Sequence, residues 1–239
     1  NNVVQDFGKI ESAINQNSFF TTEDTVFVRI DEKIDVVPGD KFSVYSAGGE
    51  RPHPNSDRKG FKYTVSGTLE MVQKIDELWQ CKITEAVIPI SRGDRITVYT
   101  PKIERITKTY NSRLVEAVLV SAFENLKSFA SFGDVVYLDR GRADGVEVGN
   151  VFEVYGFKDR GTGQNITKNP SYKNGELTVI TVTDNFSTAL VSQSTRDFII
   201  GDIAVTKTRE AAARATKLRN KVSSASSVRM TDKALDELD

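Results

Sequence analysis

The chain has 239 residues, 38% hydrophobic and 27% charged, with 32 basic side chains against 33 acidic ones. That length leaves room for about two domains. The net charge of −1 gives no case for nucleic acid, which calls for a clearly basic domain. One cysteine excludes an internal disulfide framework, and no apolar run reaches the ~18 residues of a spanning helix, so no transmembrane segment is expected.

The chain opens Asn1-Asn2-Val3, which is neither a Met start nor a secretory leader, and so reads as a trimmed chain or part of a longer one. A first strand is expected over 25–30, a β-branched and aromatic run. Pro38-Gly39-Asp40 turns into a second strand, where Phe42 and Val44 alternate with polar residues. Strands over 67–72, 79–83 and 93–98 complete a group, and Cys81 falls on its core-facing register as a structural thiol. The same order recurs at 135–138, 151–155, 176–182, 188–191 and 201–205. Phe152, Val154, Ala189 and Val191 join Phe42, Val44, Cys81 and Ile83 as expected core positions.

The recurrence has a fixed spacing. Gly39 and Gly149 stand 110 positions apart, as do Asp24 and Asp134, Phe19 and Phe129. Gly67 and Gly175, and Gly93 and Gly201, stand 108 apart. A period this long is no solenoid repeat, whose period is roughly 20–50 residues. The expected fold is mainly β: two tandem copies of a small β-barrel-like domain with a C-terminal helical tail. The copies are placed at 1–110 and 111–207, with 103–111 as connector, and the tail at 208–239. Ala211, Ala212 and Ala213 with the basic residues after them favour a helix, and Ser223 to Ser227 a linker.

Groups that carry chemistry are few. His53 stands between Pro52 and Pro54 with no orienting carboxylate beside it in the chain. The Gly-Asp pairs at Gly39, Gly93, Gly133 and Gly201 spread over both halves, as turn residues do. No zinc spacing, calcium loop, Walker loop or dinucleotide fingerprint occurs, so no cofactor or metal is expected and the reading is non-enzymatic. The distinctive features are two long polar stretches after matching Val-Tyr strands, 46–60 and 156–170. Long loops in compact domains are often functional. Arg51, His53, Arg58 and Lys59 in the first, and Lys158, Arg160 and Lys168 in the second, are the candidate interaction residues. Arg214, Leu218 and Val222 are candidate docking positions on the tail.

The string Phe132-Gly133-Asp134-Val135-Val136-Tyr137-Leu138-Asp139-Arg140-Gly141, followed by Ala143-Asp144-Gly145-Val146, Gly149 and Phe152-Glu153-Val154-Tyr155, resembles the C-terminal region of TsaP-type proteins. These periplasmic proteins join a LysM peptidoglycan-binding module to a region similar to the flagellar assembly protein FlgT. The resemblance implies a partner, the outer-membrane secretin ring of type IV pili, and a link to peptidoglycan through a LysM module whose signature this sequence lacks. A flagellar basal-body ring component is the alternative within the same class. A peptidoglycan- or carbohydrate-binding module, stacking sugars on Trp79, Tyr63 or Tyr172, is the alternative from another.

Overall fold

The computed structural model describes residues 4–54, 56–57, 59–101, 105–124, 129–156, 159, 162, 164 and 172–214. The chain is mainly β and divides into two compact units, Asn1–Glu104 and Arg105–Asp239.

In the first unit the sheet strands are β1 (Gly8–Ala13), β3 (Thr25–Ile30), β4 (Lys41–Pro52), β5 (Lys59–Ile75), β6 (Leu78–Ala86) and β8 (Arg95–Val98). They form a closed six-stranded barrel in the order β1-β3-β6-β5-β4-β8, each pair antiparallel. A two-stranded piece, β2 (Phe19–Phe20) with β7 (Ile90–Ser91), lies beside it. The inward face follows from alternation. Val26, Val28, Phe42, Val44, Leu69, Met71, Cys81, Ile83 and Ile96 form one buried cluster. Trp79, in step with Cys81 and Ile83, packs against it.

In the second unit β9 (Glu116–Ala122), β11 (Val135–Leu138), β12 (Val151–Gly156), β13 (Tyr172–Val182), β14 (Ser187–Ser194) and β16 (Ile203–Thr206) pair in the order β11-β14-β13-β12-β16-β9. β9 also pairs with β11, so this ring closes on itself. β10 (Phe129–Ala130) pairs with β15 (Phe198–Ile199). Phe152, Val154, Leu177, Val179, Ala189 and Val191 fill the interior. All eight core positions expected from the sequence are buried.

The Gly-Asp pairs are turns, as read. In turns 37–40, 91–94, 131–134 and 199–202 the last residue's N–H donates to the first residue's carbonyl, while its carboxylate accepts the first residue's N–H. The glycine in third place has φ between 87° and 100°. That is left-handed backbone, which glycine takes without penalty. Turn 147–150 is the same with Asn150 as the cap, and turn 21–24 is the same with Glu23 in the glycine's place at φ 77°.

The expected connector ends earlier than 111. Thr109 bridges to Asn150 and Asn111 to Thr208, so both belong to the second unit. Of the tail, residues 209–214 are helical, with the Thr208 hydroxyl accepting the Ala211 N–H at 3.2 Å.

Candidate functional site

Past Tyr45, β4 loses its second neighbour, because β8 pairs with it no further than Tyr45↔Arg95. β5 meets β6 only from Gly67↔Ala86 onward. Residues 46–52 and 59–65 therefore continue beyond the six-stranded pairing as a two-stranded ribbon, with pairs Ser46↔Thr64, Ala47↔Tyr63, Glu50↔Phe61, Arg51↔Gly60 and Pro52↔Lys59. This corrects the reading of 46–60 as a loop: the pairing runs out to Pro52↔Lys59. Gly48 and Gly49 suggested a loop, yet they are a bulge inside the strand, and Gly49 takes φ 78° to make it. The period-two run Phe61, Tyr63, Val65 against Lys62, Thr64, Ser66 is the signal that marks the returning strand.

The ribbon carries three candidate residues at its far end. Arg51 is half-buried on β4, His53 follows the strand end, and Lys59 opens β5 with its ammonium 3.2 Å from Glu50. One ribbon face presents Phe61 at 68% exposure and Val65 at 46%, with Tyr63 edge-on to Tyr45 at 5.8 Å. On the other face Lys62 and Thr64 are buried, and burial with the neighbouring Arg51 charge pulls the Lys62 ammonium below the ordinary lysine range. Arg214 is exposed at the end of the helical residues, 3.9 Å from Glu210. Arg58, Lys158, Arg160, Lys168, Leu218 and Val222 lie outside the described residues, as does the side chain of Tyr172.

A charge cluster that the sequence reading missed sits on the outer wall of the second unit. Glu153 on β12 faces Glu176 on β13 in direct register. Two like charges so placed repel. Lys173 bridges them, at 2.7 Å from Glu153 and 2.8 Å from Glu176. Lys207 lies 2.8 Å from Glu176, and the Tyr155 hydroxyl donates to Glu153 at 2.8 Å. Burial works to raise both carboxyls, but the hydrogen bonds from Lys173, Tyr155 and Lys207 outweigh it and hold both below the usual range. Burial pushes the Tyr155 phenol up to about 12, helped by Glu153. Both carboxylates are ionised and the Tyr155 phenol is protonated at neutral pH. The cluster is a lock across β12, β13 and the residue that follows β16. Cross-strand register, invisible from spacing alone, is what assembles it.

The string that carries the family resemblance builds one end of the second unit. Buried Asp139 accepts the Val118 N–H and the Arg140 guanidinium, each at 2.6 Å. Arg142–Asp144 form a short 3-10 turn closed by Gly145 at φ 84°. A Cβ on Gly141 would lie 2.4 Å from the Thr183 carbonyl, so only glycine fits there.

Among the described residues, no three His, Cys, Asp or Glu side chains gather as metal ligands would, and no helix is long and apolar enough to cross a membrane. Burial pushes the Cys81 thiol up to about 12, so it stays protonated. In comparisons with known proteins, no family model and no curated protein matched the chain.

Proposed function

We propose that this chain is a non-enzymatic assembly protein of the periplasm. In this reading it consists of two tandem copies of one small barrel domain and associates with the outer-membrane secretin ring of type IV pili. The duplication is supported by the strand order, which is the same around both rings when β1 is matched to β9 and β8 to β16. It is also supported by the capped turns at 21–24, 37–40 and 91–94, which recur at 131–134, 147–150 and 199–202. The observation that carries the secretin role is the ordered string from Phe132 to Tyr155, which resembles the TsaP-type C-terminal region. Its residues form one continuous piece of structure: turn, β11, the Asp139–Gly145 end piece, turn and β12. A tie to peptidoglycan belongs to the LysM module of that family.

The ribbon is the interaction element in this reading, since one of its faces leaves Phe61 and Val65 exposed and a two-stranded hairpin is marginal alone and gains from a partner. The test removes residues 48–58, the segment 159–168, or everything after Thr208, one at a time. Folding is checked by circular dichroism and recruitment to secretin rings is then measured. Loss of recruitment on removing 48–58 is the expected result. Normal recruitment of all three folded variants would move the contact to a barrel face.

A further inference from the structure

The ribbon has two long edges, and they are not alike. On β4 the edge is interrupted. The Gly48–Gly49 bulge puts an extra residue between Ala47 and Glu50, and Pro52 closes the strand with no N–H to offer. On β5 the run from Lys59 to Val65 holds the facing strand without an extra residue of its own. It contains no proline, and Phe61, Tyr63, Thr64 and Val65 all favour extended backbone.

In an antiparallel pair alternate residues turn their N–H and C=O groups away from the partner strand. Among the described residues no strand pairs with 59–65 on the side away from β4, because β6 joins β5 only from Gly67↔Ala86. Proteins blunt such edges with bulges, prolines and inward-pointing charges. β4 carries the first two. β5 carries only the third, Lys62, and that charge selects the partner. The start of β1 and the end of β8 lie toward the other end of the barrel with turn 37–40, as Gly8↔Ile96 and Phe42↔Val98 place them.

The two ribbon faces differ in chemistry. Tyr45 follows the core residue Val44 and so lies on the outer face, where it meets Tyr63. Phe61 and Val65 alternate with Lys62 and Thr64 and share that face. On the opposite face Lys62 is buried, close enough to Arg51 to feel its charge. Residues 46–65 hold four basic side chains against two acidic ones, in a chain with 32 against 33. Two such basic ribbons repel each other, so a second copy fits this edge poorly and a strand bearing carboxylates fits it well.

We infer that the edge of β5 turned away from β4, residues 59–65, takes up an extended strand of a partner protein in which acidic residues alternate with apolar ones. Its apolar side chains lie beside Phe61, Tyr63 and Val65, and its carboxylates on the side of Lys62 and Arg51. Backbone bonds supply the affinity and the alternating side chains the selectivity, as in strand addition generally. The inference rests on the assembly reading only in taking the strand from another protein.

The probe is the end-capped peptide Glu-Val-Glu-Val-Glu-Val-Glu, whose residue order is the same from either end and so serves both strand directions. It is titrated to millimolar concentration into the nitrogen-15-labelled 239-residue chain. One control, Glu-Glu-Val-Val-Val-Glu-Glu, keeps the composition and loses the alternation. The other, Lys-Val-Lys-Val-Lys-Val-Lys, reverses the charge. The expected result is saturable shift changes confined to the ribbon, with amide exchange slowed at least fivefold at alternate positions between 59 and 65. Both controls should bind at least tenfold more weakly. Lys62→Glu should weaken the acidic peptide at least tenfold and strengthen the basic one, and Phe61→Asp should weaken the acidic peptide to a similar degree. The inference is overturned if the acidic alternating peptide gives no saturable shifts at 59–65, or if either control binds as well. It is also overturned if both variants, folded by circular dichroism, bind like the parent. A dimer in sedimentation equilibrium that Phe61→Asp abolishes would assign the edge to a second copy and overturn it equally. Recruitment to secretin rings, measured in parallel, separates the two ideas: recruitment without peptide binding sinks this inference alone, and peptide binding without recruitment sinks the secretin role alone.

Discussion

Glu23 occupies the third place of turn 21–24 at φ 77°, where the matching residue of turn 131–134 is Gly133 at φ 87°. For a residue with a side chain that backbone costs roughly 1–2 kcal/mol. Two effects offset part of the gain from Glu23→Gly. Glycine is freer in the unfolded chain, by about 0.4–1 kcal/mol, and the exposed ion pair of Glu23 with Lys82 is lost. Glu23→Gly is therefore expected to stabilise the first unit by about 0.5 kcal/mol, and Gly133→Ala to destabilise the second by about 1 kcal/mol. Urea titrations check both signs, with Trp79, the single tryptophan, reporting the first unit. Glu23 raising stability over glycine would refute the strain argument. The sequence marked the other turns by their Gly-Asp and Gly-Asn pairs. It hid this one, because a glutamate in left-handed backbone carries no signal of its own.

At the scale of elements, five of the six sheet strands in each unit were legible, while β1, β9 and the ribbon were not. Alternation placed Phe42, Val44, Phe152 and Val154 correctly, because a barrel interior enforces one register. The glycines at 48 and 49 broke that pattern, and a bulge is indistinguishable from a loop until its partner strand is known. The Glu153–Glu176 pair was hidden for the same reason: residues 23 positions apart meet only through the β12–β13 register.

The pair makes a pH prediction. Both carboxyls titrate lower in the folded chain than unfolded, so their stabilising contribution is full above the unfolded value, about 4.3, and is lost as pH falls through the folded values. For Lys173 burial works to lower the ammonium, but the bonds to Glu153 and Glu176 outweigh it and hold it raised. Its contribution is full below the unfolded value, about 10.4, and is lost as pH rises through the folded one. Lys207→Met should therefore lower the melting temperature of the second unit most above about pH 5, where both carboxyls are ionised. The difference from the parent should shrink below about pH 4. Melts followed by far-ultraviolet circular dichroism across that range provide the check. A destabilisation that does not change with pH would show that Lys207 acts through packing alone.

At the scale of the whole molecule, the two units use one grammar of capped turns and ordered strands, and they differ in what is attached to it. The first unit carries the ribbon. The second carries the charge lock and the covered turn at Gly149. The spacing of 110 and 108 positions was readable without a structure, because turn residues such as Gly39 and Gly149 mark themselves in the sequence. The differences were not, because they depend on which strand edges are covered. The most direct measurement is co-sedimentation of the 239-residue chain with purified type IV pilus secretin rings, and in parallel with flagellar basal-body rings. Saturable binding to the secretin, and not to the flagellar rings, is the predicted result. Binding to flagellar rings alone, or to neither, would contradict the account.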